Sequence, residues 1–202
     1  GYVGAVHAAC MAQLGHEVLG VDVDAERIAA LAAGRPPFYE PGLSAMLKSA
    51  VDGRRLRFTT SLAEAAWFAD THFVCVGTPQ RADSGASDLR HVEAALDGLA
   101  PYLRDSGYER VLVVGKSTVP VGTADRLAER LRALAPAADI AWNPEFLREG
   151  RAVRDTLRPE RLVAGVRSVH AETRLREIYA PLLADGTRFI VTEPATAELV
   201  KL

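Results

Sequence analysis

Hydrophobic and polar positions along the chain fall into short blocks whose period switches between the strand value of two and the helix value of about 3.6. Near-continuous apolar runs at 71–76 and 111–115 read as strands covered on both faces. Further strands are predicted at 17–23, 56–59, 139–142, 161–166 and 188–191. Helical periodicity covers 5–14, 25–33, 43–51, 62–69, 89–103, 123–134 and 170–183. Gly15 stands as a stop for the first helix, and a proline-bearing loop at 35–42 separates the second from the third. Strand alternating with helix predicts βαβ units wound onto a parallel sheet, an α/β fold of the doubly wound class. The chain opens on a helix with no strand before it, so the first strand of that sheet is expected to be missing.

Composition narrows the class. Of 202 residues, 49% are hydrophobic and 25% charged, enough apolar surface for a sizeable core, and the net charge is −2. Basic residues are scattered among acidic ones, so no nucleic-acid partner is expected. No apolar run approaches the roughly 18 residues of a membrane span, which points away from membranes and toward the cytoplasm. The chain starts inside a motif, so the lack of a leader carries no weight. Cys10 and Cys75 each follow a histidine, His7 and His72, but no second ligand pair appears at metal spacing. Inert buried thiols and no metal site are expected.

Gly1-Tyr2-Val3-Gly4 has the spacing of the last two glycines of a G-x-G-x-x-G turn. Gly1 would let the backbone approach a pyrophosphate, and Gly4 would let the helix pack closely on a strand. Asp22 falls 18 residues past Gly4 (22 − 4), near the end of the next strand. That is close to the spacing of about 20 residues for a carboxylate accepting from adenosine ribose hydroxyls. An acid there favours NAD and repels the 2′-phosphate of NADP. Read alone, Asp22 is equally a turn carboxylate or a helix N-cap, a role Asp24 could fill instead. Arg27, about one helical turn on, could reach the same ribose. Ligands of open α/β sheets bind beyond the carboxyl ends of the strands. There the chain places Gly77-Thr78-Pro79 after one strand and Ser117-Thr118 after the next. Thr78 and Ser117 could also cap helices. These features together predict a Rossmann-like domain with NAD as cofactor.

Five runs make the pattern specific: Tyr39-Glu40-Pro41-Gly42-Leu43, Val76-Gly77-Thr78-Pro79, Lys116-Ser117-Thr118-Val119-Pro120-Val121-Gly122-Thr123, Asn143-Pro144-Glu145-Phe146-Leu147-Arg148-Glu149-Gly150 and Ala197-Glu198-Leu199-Val200-Lys201-Leu202. In this order they resemble the UDP-glucose/GDP-mannose dehydrogenase family over essentially the whole chain. The first and fourth runs look most like its UDP-glucose branch. The resemblance implies oxidation of the C6 alcohol of a nucleotide sugar to the carboxylate, UDP-glucose to UDP-glucuronate. Two hydride transfers to NAD would pass through a thiohemiacetal and a thioester on a cysteine. It also implies roles. Glu145 is the acid/base group, because an alcohol gives up hydride readily only if its proton leaves too. Thr118 helps to hold the hydrolytic water. Glu149 touches both cofactor and sugar, and Phe146, Leu147 and Arg148 belong to the same substrate-side run. Lys201 stabilises a developing oxyanion. Glu145 and Glu149, four apart, are expected to share one face of a helical turn. Arg158 and Arg161 could pair with phosphate or with a neighbouring carboxylate.

By the same resemblance the nucleophilic cysteine lies in a Gly-Gly-x-Cys context beyond residue 202. Neither Cys10, inside a helix, nor Cys75, in a buried strand, looks able to replace it. Residues 1–193 are therefore read as an NAD-binding domain shortened at its start. Residues 194–202 are read as the beginning of the helix linking it to a central and C-terminal UDP-sugar-binding region. Through that helix the full-length protein would form a homodimer or a larger assembly. This stretch alone is expected to turn over no nucleotide sugar. Competing readings are a GDP-mannose or UDP-N-acetylhexosamine dehydrogenase, and a 3-hydroxyacyl or 6-phosphogluconate type, which has no use for the Asn-Pro-Glu-Phe-Leu stretch. A non-catalytic dinucleotide-binding domain would leave Glu145, Glu149 and Lys201 without purpose.

Overall fold

The computed structural model describes residues 1–82 and 84–201; Asp83 and Leu202, the last residue of the fifth run, lie outside the described residues. The chain opens with α1 (Tyr2–Gln13), β1 (Val18–Val21), α2 (Ala25–Ala32), α3 (Leu43–Asp52) and β2 (Leu56–Thr59). It continues through α4 (Leu62–Phe68), β3 (Thr71–Val74), α5 (Arg90–Asp105), β4 (Val111–Gly115), α6 (Thr123–Leu134) and β5 (Ala138–Trp142). The last third holds α7 (Ala152–Leu157), β6 (Arg161–Gly165), α8 (Val169–Ile178), α9 (Ala180–Ala184), β7 (Arg188–Thr192) and α10 (Pro194–Leu199).

Most boundaries fall within two residues of those read from the pattern, because serine and aspartate caps mark them. The side chains of Asp24, Ser61 and Ser168 accept from Arg27 N, Glu64 N and Ala171 N at the starts of α2, α4 and α8. Four expectations need correction. α1 begins at Tyr2 rather than Ala5, since Gly1 already forms its N-cap. β3 ends at Val74, so Cys75 lies just past the strand. The helix expected over 170–183 is two, broken where Pro181 opens α9 and removes a backbone donor. α7, six residues long, is too short to show a helical period in the sequence.

The strands form a two-stranded sheet, β1-β2, and a five-stranded sheet in the order β3-β4-β5-β6-β7. Both are parallel except at one joint, where β5 and β6 run antiparallel through the single pair Trp142 and Gly165. The doubly wound plan is visible in β4. Leu112 and Val114 pack into one core with α1, α3 and α8, while Val111 and Val113 pack into another with α5 and α6. Alternate residues of a strand point to opposite faces, so helices on both sides leave every residue of β4 buried.

Asn143, directly after β5, fastens the antiparallel joint. Its Nδ2 donates to the Val163 carbonyl of β6 at 2.8 Å, and its backbone N–H to the Gly115 carbonyl of β4 at 2.8 Å. Its Oδ1 accepts from Tyr179 Oη at 2.7 Å and from Lys116 Nζ at 2.9 Å. All three side chains are buried, so both polar atoms of the amide find their partners inside the protein.

Two histidines flank this core. His7 of α1 packs at a tilt against Phe73 of β3 with ring centroids 4.5 Å apart, and the Nε2 atoms of His7 and His72 are buried without a hydrogen-bond partner among the described residues. Burial holds His7 well below the usual imidazole range and His72 at about 4. An unfolded chain therefore takes up protons that the folded chain refuses, and stability falls as pH drops from about 6.5 toward 4. Urea unfolding at pH 7 and pH 4.5 should show a smaller acid loss in His72→Phe than in the parent. An equal loss in both would mean that folded His72 can protonate freely.

Candidate functional site

Three groups of predicted residues stand where parallel strands give way to loops. The first surrounds the glycine turn. Asp22 follows β1 directly and lies against the glycine turn. Arg27 donates from Nη1 to both Asp22 oxygens at 3.1 and 2.9 Å, and Asp24 N–H donates to Oδ1 at 3.1 Å. Asp22 is half enclosed, which by itself raises a carboxyl pKa, but these donors outweigh burial and hold it low. Asp24 takes the capping role on α2, leaving Asp22 out of helix capping. Tyr2 and Val3 lie in the first turn of α1. Gly4 faces the residue after β3: a Cβ there would meet Cys75 Cβ at 3.4 Å, so helix and strand end are in contact.

The second group joins β3 to β4. Thr78 Oγ1 donates to the Thr118 carbonyl, and Ser117 Oγ to the Val76 carbonyl, each at 2.6 Å. These hydroxyls cap no helix; they latch the 76–79 and 116–120 loops to each other. Trp142 Nε1 donates to the Ser117 carbonyl at 3.1 Å, tying the pair to β5. Gly77 and Pro79 are exposed beside them, and Thr118 is half-buried.

The third group follows β5. Residues 143–148 form no helix and 149–150 lie in a turn, so Glu145 and Glu149 do not share a helical face as expected. Pro144 explains this in part, since the residue before a proline is disfavoured in the helical region. Glu145 is half-buried, with Oε2 accepting from Leu147 N–H at 2.6 Å and Oε1 lying 3.1 Å from Lys201 Nζ. Lys201 and Arg161 both approach the Phe146 ring, at 5.6 and 5.3 Å from its centroid. Arg148 is held by Asp155 through Nε at 3.0 Å and Nη2 at 2.7 Å, and Glu149 is exposed. Glu145 and Phe146 line a cleft of about 450 Å³ that also takes in His7, Lys116, Arg161 and Tyr179.

Three charged residues that serve this site sit inside the recognised runs but were given no role from sequence. Glu40 is buried and accepts from Tyr2 Oη at 2.5 Å, Gly150 N–H at 2.9 Å and Val153 N–H at 3.3 Å. It ties the glycine turn to the end of the Asn-Pro-Glu run. Lys116 is buried at the base of the cleft on Asn143, and burial lowers its pKa to about 8. Glu198 of α10 is likewise buried. The one signal in the sequence was a lone charge inside a run otherwise apolar or turn-forming, which also describes many solvated residues. Cys10 is buried and Cys75 partly so, and burial raises their thiols to about 12 and about 11, which disfavours the reactive thiolate. Among the described residues no group of three or more His, Cys, Asp or Glu could hold a metal, and no helix is long and apolar enough to cross a membrane.

Residues 1–183 match the NAD binding domain of the UDP-glucose/GDP-mannose dehydrogenase family. A UDP-glucose 6-dehydrogenase of Pseudomonas aeruginosa is 44% identical over all of this chain and 45% of its own length. The crystal structure of a UDP-glucose dehydrogenase from Pyrobaculum islandicum superposes with a TM-score of 0.93 at 43% identity, covering 100% of this chain and 46% of that one. A GDP-mannose dehydrogenase structure from Pseudomonas aeruginosa superposes with the same TM-score of 0.93 at 35% identity and the same two coverages, 100% and 46%. The chain thus spans less than half the length of these relatives.

Replacing Glu40 by Ala leaves a hydroxyl and two backbone donors without their acceptor. A loss of about 2–5 kcal/mol in unfolding free energy is expected from urea titration. Tyr2→Phe, which removes one of the three contacts, should lose clearly less. Unchanged stability in Glu40→Ala would show that water replaces all three contacts.

Proposed function

The chain belongs to the UDP-glucose/GDP-mannose dehydrogenase family, and from that premise we propose that the protein carrying it oxidises the C6 alcohol of UDP-glucose to the carboxylate. The observation that carries the reading is the contact of Lys201 with Glu145, 3.1 Å apart at the cleft on the carboxyl ends of the strands. NAD is the cofactor of the matched domain, and the residues fit it. Among the described residues no side chain caps α1 and no acid stands in its first turn, which leaves its N–H groups to meet a pyrophosphate. Asp22 presents a carboxylate to ribose hydroxyls, with Arg27 beside it. Gly77, Thr78, Pro79 and Ser117 line the way along the strand ends.

When bound, NAD accepts the hydride. Everything else falls to the protein. Glu145 takes the proton of the C6 hydroxyl, directly or through water. Lys201 offsets the negative charge that develops on the oxygen, and its position against Glu145 keeps base and cation at the same atom. Thr118 and Glu145 orient the water that hydrolyses the thioester left after the second hydride transfer, releasing the carboxylate and the thiol. Glu149, Phe146, Leu147 and Arg148 face the sugar from the same loop. Beyond α10 the chain leads into the sugar-binding region, and that link supports assembly as a dimer or larger.

The fold does not separate the sugar branches, since the GDP-mannose dehydrogenase structure superposes equally well. Sequence favours UDP-glucose, at 43% identity against 35%. With the full-length gene product, NAD and UDP-glucose, two NADH per sugar are expected, because alcohol to carboxylate is a four-electron oxidation. NADH formed only with GDP-mannose or an N-acetylated UDP-sugar would move the protein to a sister branch. One NADH per sugar would remove the hydrolytic step, and with it the water-orienting roles of Glu145 and Thr118. In the same protein Glu145→Gln should lower kcat by about 100-fold or more while NAD affinity, followed by titration, stays within about twofold.

A further inference from the structure

Lys201 reaches Glu145 from the end of α10, a helix of only six residues. Leu199 and Val200, on either side of that last turn, are 59% and 49% exposed, so apolar packing does not fix it. Glu198 lies one turn before Lys201, whose N–H donates to the Glu198 carbonyl at 3.3 Å. The Glu198 side chain is 1% exposed, and its two oxygens accept from Gly122 N–H at 2.6 Å and Ala124 N–H at 2.5 Å.

Those donors open α6. Gly122, its N-cap, has φ +89°, a conformation that favours glycine and so excludes the capping side chains that helix starts ordinarily use. The free N–H groups and the positive end of the helix dipole are met instead by a carboxylate brought from α10. The segment leading into α6 is the loop with Ser117 and Thr118, closed by Thr123 Oγ1 donating to the Pro120 carbonyl at 2.6 Å. On its other side α10 rides on β6 with no clearance, since a Cβ on Gly165 would lie 2.7 Å from Ala197 Cβ and from Pro194 Cα. Glu198 thus sits between two parts of the site: the Thr118 loop through α6, and Lys201 through its own turn.

We infer that Glu198 is a positioning residue for Lys201: by clamping α10 onto the start of α6, its carboxylate sets where the Lys201 ammonium meets Glu145 and keeps that pair in register with the Thr118 loop. The inference rests on the roles proposed above for Glu145 and Lys201. A glutamine at 198 keeps the shape but turns an NH₂ toward one of the two N–H donors, so the clamp holds at one point and the lysine shifts.

The test is a double-mutant cycle in the full-length protein, with UDP-glucose and NAD as substrates. Glu198→Gln should lower kcat roughly tenfold, as displacements of a reacting group of about 1 Å or less do, with KM for NAD within about twofold. In a Lys201→Met background the same substitution should cost less than about twofold, because the residue through which it acts is gone. Equal losses in the two backgrounds would make Glu198 a structural cap only and overturn the inference, leaving the proposed chemistry intact. Full activity in Lys201→Met alone would instead remove the role of Lys201, and the inference with it. If Glu198→Gln does not fold, Glu198→Asp, which keeps the charge but is one methylene short of reaching both donors, is measured in the same cycle with the same two criteria.

Discussion

The larger sheet depends on how it turns over at the joint between β5 and β6. Only one residue pair bridges these antiparallel strands, so the joint cannot rest on a ladder of backbone bonds. The buried amide of Asn143 supplies what the ladder lacks, donating to β6 while accepting from Lys116 beyond β4 and from Tyr179 at the break between α8 and α9. A buried network of this kind favours one arrangement, because any shift strands a polar group in a dry interior. Pro144 and Glu145 follow immediately. The residue that fixes the fold at this joint also fixes where the acid/base candidate begins.

Two further buried charges extend that frame outward. Glu40 gathers the glycine turn, the proline loop and the start of α7; Glu198 gathers α6 and α10. Both carboxylates are met largely by backbone N–H groups. This is the economical way to bury a negative charge, since fixed amide donors need no side-chain ordering and strengthen in low dielectric. The exposed ion pairs are of a different kind. Pairs such as Lys48 with Asp52 and Arg176 with Glu172 lie along helix faces in water and contribute a few tenths of a kcal/mol each. The buried acids hold elements together; the surface pairs decorate them.

The site inherits its position from this arrangement. The cleft opens where β4 and β5 end, lined by Lys116 and by the segment that follows Asn143, and the loops beside it are latched to each other by hydroxyl-to-carbonyl bonds before any ligand arrives. Lys201 is the exception. It comes from the last described turn of the chain, and its place depends on an acid anchored to a helix more than seventy residues earlier, at a sequence separation of 76 and 74 for the two contacts. Preorganised charge of this sort acts strongly on a reacting oxygen because little reorganisation is left to do during the reaction.

The sequence by itself determined the alternation of strands and helices, the two-sided burial of β4, the glycine turn with Asp22 at its proper distance, and the runs that carry the family. These are local matters: periodicity, caps, turns and short spacings are written in neighbouring residues. It missed the break at Pro181 and the six-residue α7, where a segment is too short for a period to show. It also put Glu145 and Glu149 on one helical face by counting four, when Pro144 opens a segment that forms no helix. Only the tertiary structure decided that β6 reverses, that Lys201 meets Glu145, and that Glu40, Lys116 and Glu198 are interior. A charged residue in a sequence reads as solvated, because burial of a charge is affordable only if partners wait for it. Those partners here are backbone amides and carbonyls, present at every position and assigned to none until the chain folds.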